Sequence, residues 1–206
     1  MRTPRRVIAT GVLLALLAGA LGCGGGPSVA RPTSGTTVIA FGDSLVEGRG
    51  STDGRDFVSM LARRLGVPII NAGRSGDTTG AALARLDRDV LSRSPRVVIV
   101  VLGGNDYLRR IPVNETFSNL SSIVTKIRDR GAAVVLAGVS VGLLTDPYGS
   151  RYEALARETS SGLVPDILGG LMGRSDRMAD AIHPNNAGYE IIADRIAPVL
   201  EELLDD

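Results

Sequence analysis

Tryptophan is absent from this 206-residue chain, cysteine and histidine occur once each, and aromatic residues make up only 3%. Each shortage closes a route. A single cysteine, Cys23, cannot form an intramolecular disulfide. One cysteine together with one histidine, His183, cannot build a zinc site from thiolate and imidazole ligands. So few rings argue against a stacking platform for bases or sugars. An excess of charge is missing as well. The formal net charge is +1, and loss of Arg2, Arg5 and Arg6 with an acid-free leader would leave −2. No basic field then remains to hold a polyanion, which disfavours nucleic acid as a partner.

What is present describes a globular protein. Hydrophobic residues are 44% and charged residues 22%, enough for one core and one domain at this length. The first residues follow a different pattern. An arginine-bearing start, an apolar run from Val7 to Leu21 and small residues before Cys23 have the layout of a secretory signal peptide over residues 1–22. As a helix the run would extend roughly 22 Å at ~1.5 Å per residue, short of a bilayer core about 30 Å thick. Ala20-Leu21-Gly22-Cys23 resembles a bacterial lipobox, in which the cysteine is acylated and becomes the new N-terminus. Ordinary cleavage after Ala18-Gly19-Ala20 is the alternative. Residues 23–36, rich in Gly, Pro, Ser and Thr, read as a flexible tether between a lipid anchor on Cys23 and a domain over 37–206. The expectation is an exported protein held to a membrane by that anchor.

Along the domain, short apolar runs alternate with helical spacing. Strands are expected at Thr37–Phe41, Val67–Ile70, Val97–Leu102, Ala133–Val139 and, weakly, Leu163–Leu168. The run Val97–Leu102 shows no polar alternation, as a strand covered on both faces should. Helices are expected over 57–65, 81–91, 114–130, 152–160 and 187–204, with Asn114 capping the third and Gly131 ending it. Alternation of this kind predicts an α/β fold with a five-stranded, mostly parallel sheet between two helical layers. Ligands of such sheets bind at the carboxyl ends of the strands. Three polar, glycine-rich loops fall there: Gly42-Asp43-Ser44, the loop after Asn71, and Gly103-Gly104-Asn105-Asp106.

Those loops carry the residues of acyl transfer. A strand-to-loop turn with glycine can expose a serine hydroxyl at the sheet edge, which makes Ser44 a candidate nucleophile. A serine needs a base, and His183 is the one histidine available. Alone it could be a bystander, but Asp180 precedes it by three residues. One turn can therefore present both side chains on one face, with the carboxylate fixing the imidazole tautomer. Donors for an oxyanion can come from the backbone of Ser75-Gly76-Asp77 and from the Asn105 amide. Glycines and Asn105 are also ordinary turn residues, so neither loop is decisive alone.

Taken together, the blocks resemble those of the SGNH or GDSL hydrolase family. Phe41-Gly42-Asp43-Ser44-Leu45 is similar to its first block, and Asn71-Ala72-Gly73-Arg74-Ser75-Gly76-Asp77-Thr78 to its second. Leu102-Gly103-Gly104-Asn105-Asp106 is similar to the third and Asp180-Ala181-Ile182-His183-Pro184 to the last, in family order across almost the whole domain. The resemblance is nearest to the branch of small periplasmic thioesterase, lysophospholipase and arylesterase enzymes. It implies a flavodoxin-like three-layer sandwich. It also implies Ser44 as nucleophile, Asp180 and His183 as the dyad, and an oxyanion hole from the Ser44 N–H, Gly76 and Asn105, with Gly76 rather than Gly73 as the family's glycine. No metal or cofactor enters such a mechanism. Small acyl esters or lysophospholipids are the implied substrates. The branch carries a mobile loop where this chain has Tyr107 to Pro112, and Leu143 to Tyr152 is expected to supply the other wall of the acyl pocket. Two other readings stay open: an O-acetyl esterase acting on envelope polysaccharide, and a tethered binding lipoprotein with an inactive site.

Overall fold

A computed structural model describes residues 29–140 and 146–205. The expected leader and Cys23 lie outside them, and no helix among the described residues is long and apolar enough to cross a membrane. Five strands form one parallel sheet in the order β2-β1-β3-β4-β5: β1 (Thr37–Gly42), β2 (Ile69–Gly73), β3 (Pro95–Val101), β4 (Ala133–Ala137) and β5 (Gly162–Val164). Among the described residues seven α-helices accompany them: α1 (Ser44–Glu47), α2 (Phe57–Leu65), α3 (Thr79–Asp89), α4 (Gly104–Leu108), α5 (Val113–Arg128), α6 (Gly149–Thr159) and α7 (Asn186–Leu204).

Successive strand residues point to opposite faces, and each face has its own core. Val38, Ala40, Val97, Ile99, Val101 and Val135 pack beneath α2 and α7, with Phe57, Leu61, Tyr189 and Ile192. Their neighbours Ile39, Phe41, Val98, Val100 and Leu136 pack beneath α3, α5 and α6, with Leu86, Leu120, Ile123 and Tyr152. Hence Val97–Val101 has no polar position: both its faces are dry. Besides α1, three helices open on side-chain caps: Asp56 accepts from the Ser59 N–H at 2.9 Å, Thr78 from Ala81 at 3.3 Å, and Asn185 from Ala187 at 3.0 Å. Such caps contribute about 1 kcal/mol each.

The strand order reverses direction between β1 and β3, since β2 lies to one side of β1 and β3 to β5 to the other. That crevice is where doubly wound sheets bind ligands. The loops after β1 and β3 both open into it.

Several expectations need correction. The second strand pairs from Ile69, not Val67, because Pro68 has no N–H to donate to the ladder. The fifth ends at Val164 ahead of Pro165, short of the expected Leu168. The fourth stops at Ala137. Asn114 does not cap α5: Pro112 holds that place, and the Asn114 carboxamide oxygen accepts from Arg151 at 3.0 Å. The short helices α1 and α4 escaped the reading, since neither is long enough to show a period. The tether expected over 23–36 does not extend through residues 29–36. Ala30 N–H donates to Ser160 at 2.8 Å, Thr33 N–H to Gly131 at 2.7 Å and Thr36 N–H to Ser94 at 2.9 Å. Val29 also packs on the core, so this stretch belongs to the domain despite its polar composition.

Candidate active site

Gly42 ends β1, and the chain turns at once into α1 with Asp43 as its cap. The Asp43 carboxylate accepts from the Leu45 N–H at 3.0 Å, and Ser44 opens the helix. The helix is only four residues long, so the turn holds Ser44 in place more than it adds stability. From the other end of the chain, the turn before α7 supplies the remaining partners. Asp180 Oδ1 accepts from the Ile182 and His183 N–H groups at 2.9 and 2.8 Å, which folds the turn around its carboxylate. Asp180 Oδ2 lies 2.7 Å from His183 Nδ1, and His183 Nε2 lies 3.1 Å from Ser44 Oγ. With the proton on Nδ1, the imidazole donates to Asp180 and accepts from the Ser44 hydroxyl. His183 is only 8% exposed. The hydrogen bond to His183, aided by the two backbone donors, holds the Asp180 carboxyl down at about 2, so it is ionised throughout the neutral range.

Asn105 stands on the first turn of α4, just after β3. Its Nδ2 donates to Asp43 Oδ2 at 3.1 Å and to the Asp77 carbonyl at 3.0 Å, so one amide bridges the loops after β1 and β2. Asp43 is almost fully buried, and burial pushes its carboxyl up to about 6 against the pull of the Leu45 N–H, the nearby His183 and the Asn105 amide. The two candidate glycines differ in kind. A Cβ on Gly73 would meet the Glu47 nitrogen at 2.2 Å, so Gly73 allows β2 to approach α1. Gly76 has φ +81, in the left-handed region, where its neighbours leave room but an L side chain would strain the backbone. Its carbonyl accepts from Arg109 at 2.8 Å.

A cavity of about 380 Å³ opens at this point. Ser44, His183, Asp43 and Asn105 line it on one side. Leu45, Val139, Leu168 and Gly169 form apolar walls, and the exposed Tyr107, Leu108, Met172 and Ile182 stand around it. The sequence placed Ser44, Asp180, His183 and Asn105 together; the structure joins Ser44, His183 and Asp180 by hydrogen bonds and sets Asn105 on the same cavity, its amide bonded to Asp43 and Asp77. Gly76 sits beside that cluster through Asp77, although it does not line the cavity.

The opposite wall differs from expectation. Among the described residues of the stretch Leu143 to Tyr152, none lines the cavity. Tyr148 and Tyr152 are instead buried with Phe117 in edge-to-face contact, centroids 5.1–6.2 Å apart, and the Tyr152 hydroxyl donates to the Leu102 carbonyl at 2.6 Å. Asp166, Leu168, Gly169, Gly170 and Met172 line the cavity instead. Sequence reading missed Asp166, Met172 and Ile182, which lie in irregular chain where no period marks a face. It also missed the support around the second block. Asp106, fully buried, accepts from the Thr79 N–H at 2.9 Å and from its hydroxyl at 2.5 Å. Among the described residues no three His, Cys, Asp or Glu side chains assemble as a metal site.

Known proteins resemble this chain in sequence and fold. Residues 40–191 match the model of the GDSL-like Lipase/Acylhydrolase family. Esterase TesA of Pseudomonas aeruginosa is 34% identical over 182 residues, covering 82% of this chain and 89% of that one. The Escherichia coli protein named thioesterase 1/protease 1/lysophospholipase L1 is 30% identical over 186 residues, covering 85% of this chain and 88% of its own. The crystal structure of TesA superposes with a TM-score of 0.77 at 33% identity, over 82% of this chain and all of that one. On the match over residues 40–191 and on this identity and superposition, the chain belongs to the GDSL-like lipase/acylhydrolase family and is an ester hydrolase.

Proposed function

We propose that the chain is a serine esterase in which Ser44 is the nucleophile, His183 the general base and Asp180 the group that orients it. The observation that carries this reading is the unbroken line from Ser44 Oγ through His183 to Asp180, at 3.1 and 2.7 Å. His183 Nε2 takes the Ser44 proton as Oγ attacks the acyl carbonyl, and the new C–O bond pushes the carbonyl electrons onto oxygen. The Ser44 and Gly76 N–H groups and the Asn105 amide receive that oxyanion, Asn105 exchanging one of its two resting acceptors for it. Collapse of the intermediate breaks the bond to the leaving group, which takes the proton from His183. Water, deprotonated by His183, then attacks the acyl-enzyme; acid is released and Ser44 regains its proton.

The substrates are acyl esters of aryl alcohols and lysophospholipids, with thioesters as chemical relatives. Support comes from the apolar residues around the cavity and from the names of the esterase and lysophospholipase relatives. The Arg-apolar-Cys pattern of residues 1–23 supports export and lipid attachment at Cys23. The test is hydrolysis of p-nitrophenyl esters from acetate to palmitate by residues 24–206, beside Ser44→Ala. The variant should lose about 10⁶-fold in kcat. If the folded wild type releases no nitrophenol from any chain length, the general esterase reading falls, and activity confined to acetate would favour a deacetylase.

A further inference from the structure

From the arrangement around α3 we infer that Arg85 is a positioning residue that sets the oxyanion side of the site through Asp77; this rests on the esterase reading above. Arg85 is a charged residue 6% exposed. Each of its three guanidinium nitrogens has a partner in a different segment of the chain. Nε donates to Asp77 Oδ2 at 2.5 Å, Nη2 to the Gly42 carbonyl at 2.9 Å, and Nη1 to the Ala72 carbonyl and Asp89 Oδ2, both at 3.0 Å. The guanidinium carbon lies 4.5 Å from the Phe41 ring centroid.

These partners are not scattered. Gly42 is two residues before Ser44, Ala72 lies in β2 within the second block, and Asp77 follows Gly76 directly. One planar cation therefore joins the carboxyl ends of β1 and β2 to the loop bearing Gly76. Asp77 is held at both ends: its carboxylate by Arg85 and its carbonyl by the Asn105 amide. The Asp77 N–H donates to the Arg74 carbonyl at 3.2 Å and closes the turn that carries Gly76, so movement of Asp77 would open that turn and release Asn105 together, and both proposed oxyanion donors depend on it. Apolar packing on Phe41 could fill the same volume without the desolvation that a buried ion pair costs. A rigid fork reaching three chain segments does what packing cannot, and lysine, with one point of charge, cannot span them.

The experiment compares wild type, Arg85→Lys and Asp77→Asn at temperatures where each is folded. For Arg85→Lys, kcat on p-nitrophenyl butyrate should fall about 10²-fold, the effect of a misplacement near 1 Å, with KM nearly unchanged. In an Asn105→Ala background the same change should cost far less, because the two act through one carbonyl. A merely structural role would give losses that multiply. Amide NMR supplies a readout independent of catalysis: the Gly76 N–H and Asn105 side-chain signals should move in Arg85→Lys while those of α7 hold. Should Arg85→Lys not fold, Asp77→Asn, which keeps an acceptor for Nε, carries the same measurements with smaller shifts. Unmoved Gly76 and Asn105 signals in a folded variant, or full multiplicativity with Asn105→Ala, overturn the proposal. An inactive wild type would sink the esterase reading and leave the NMR comparison to decide the role of Arg85.

Discussion

Asp43, Asn105, Asp77 and Asp106 lie on one side of the cavity, and Tyr107, Leu108, Met172 and Ile182 stand around its mouth. The first group is buried or half-buried, and every member exchanges hydrogen bonds with another loop. The second is 39–56% exposed and includes every large hydrophobic side chain left open among the described residues. Neighbours in sequence fall into both groups: Asp106 is fully buried and Tyr107 is 45% exposed. The contrast is one of physics. Directional bonds in a dry environment give a single geometry, which the chemistry of a developing charge requires. Apolar contacts at a wet edge tolerate several arrangements, which would suit the acyl chain of the proposed substrates.

The sharpest way to break that comparison is to remove the amide that bridges the loops. Asn105→Ala should lower kcat by about 10²–10³-fold, measured on any ester the wild type cleaves. Activity equal to wild type would mean that the buried side has no catalytic geometry to lose.

Asp43 sharpens it through pH. Burial raises its carboxyl from 3.8 to about 6, so the folded protein holds a proton there that the unfolded chain has already released. The stability from this group is complete below pH 4 and is lost as pH rises through 6, by about 3 kcal/mol in all. Urea titrations from pH 4 to 7 should show that decline in the wild type and not in Asp43→Asn, which has no proton to exchange.

Asp106→Ala leaves the Thr79 N–H and the proton of its hydroxyl without an acceptor in a dry site, and should cost about 2 kcal/mol by urea unfolding. A loss below 0.5 kcal/mol would show that water takes the place of the carboxylate. Smallest of all are the changes at the mouth. Leu108→Ser or Met172→Ser should leave stability within about 0.5 kcal/mol of wild type. Each should raise KM for long-chain esters by about 3- to 10-fold and leave acetate nearly unaffected, since only a long chain loses apolar contact there. An equal rise for acetate would place these residues closer to the chemistry than the comparison allows.

The proposed site residues Ser44, Asp180, His183 and Asn105 could be picked out in the chain because each sits in a short block whose spacing is local. Asp180 and His183 share one turn, and the turn is closed by bonds no more than three residues long. Strand β3 was legible for a similar reason, since burial on both faces writes an unbroken apolar run. Arg85 was harder. It lies on the same face of α3 as Ala82 and Leu86, and a charge on an apolar stripe was the one available signal; its partners at Gly42 and Ala72 are far away along the chain. Nothing local marked Met172 or Ile182 as neighbours of Tyr107, or the attachment of residues 29–36 to the domain.

The sequence by itself determined the alternation of strands and helices, the dry strands and the four blocks of the site, because these depend on periodicity and on residues a few positions apart. The tertiary structure alone decided that β1 would lie between β2 and β3, that Asp43 would share its carboxylate with Asn105, and which side chains would face the cavity. Those outcomes depend on the crossing of distant segments and on desolvation, and neither is a property of any short stretch of chain.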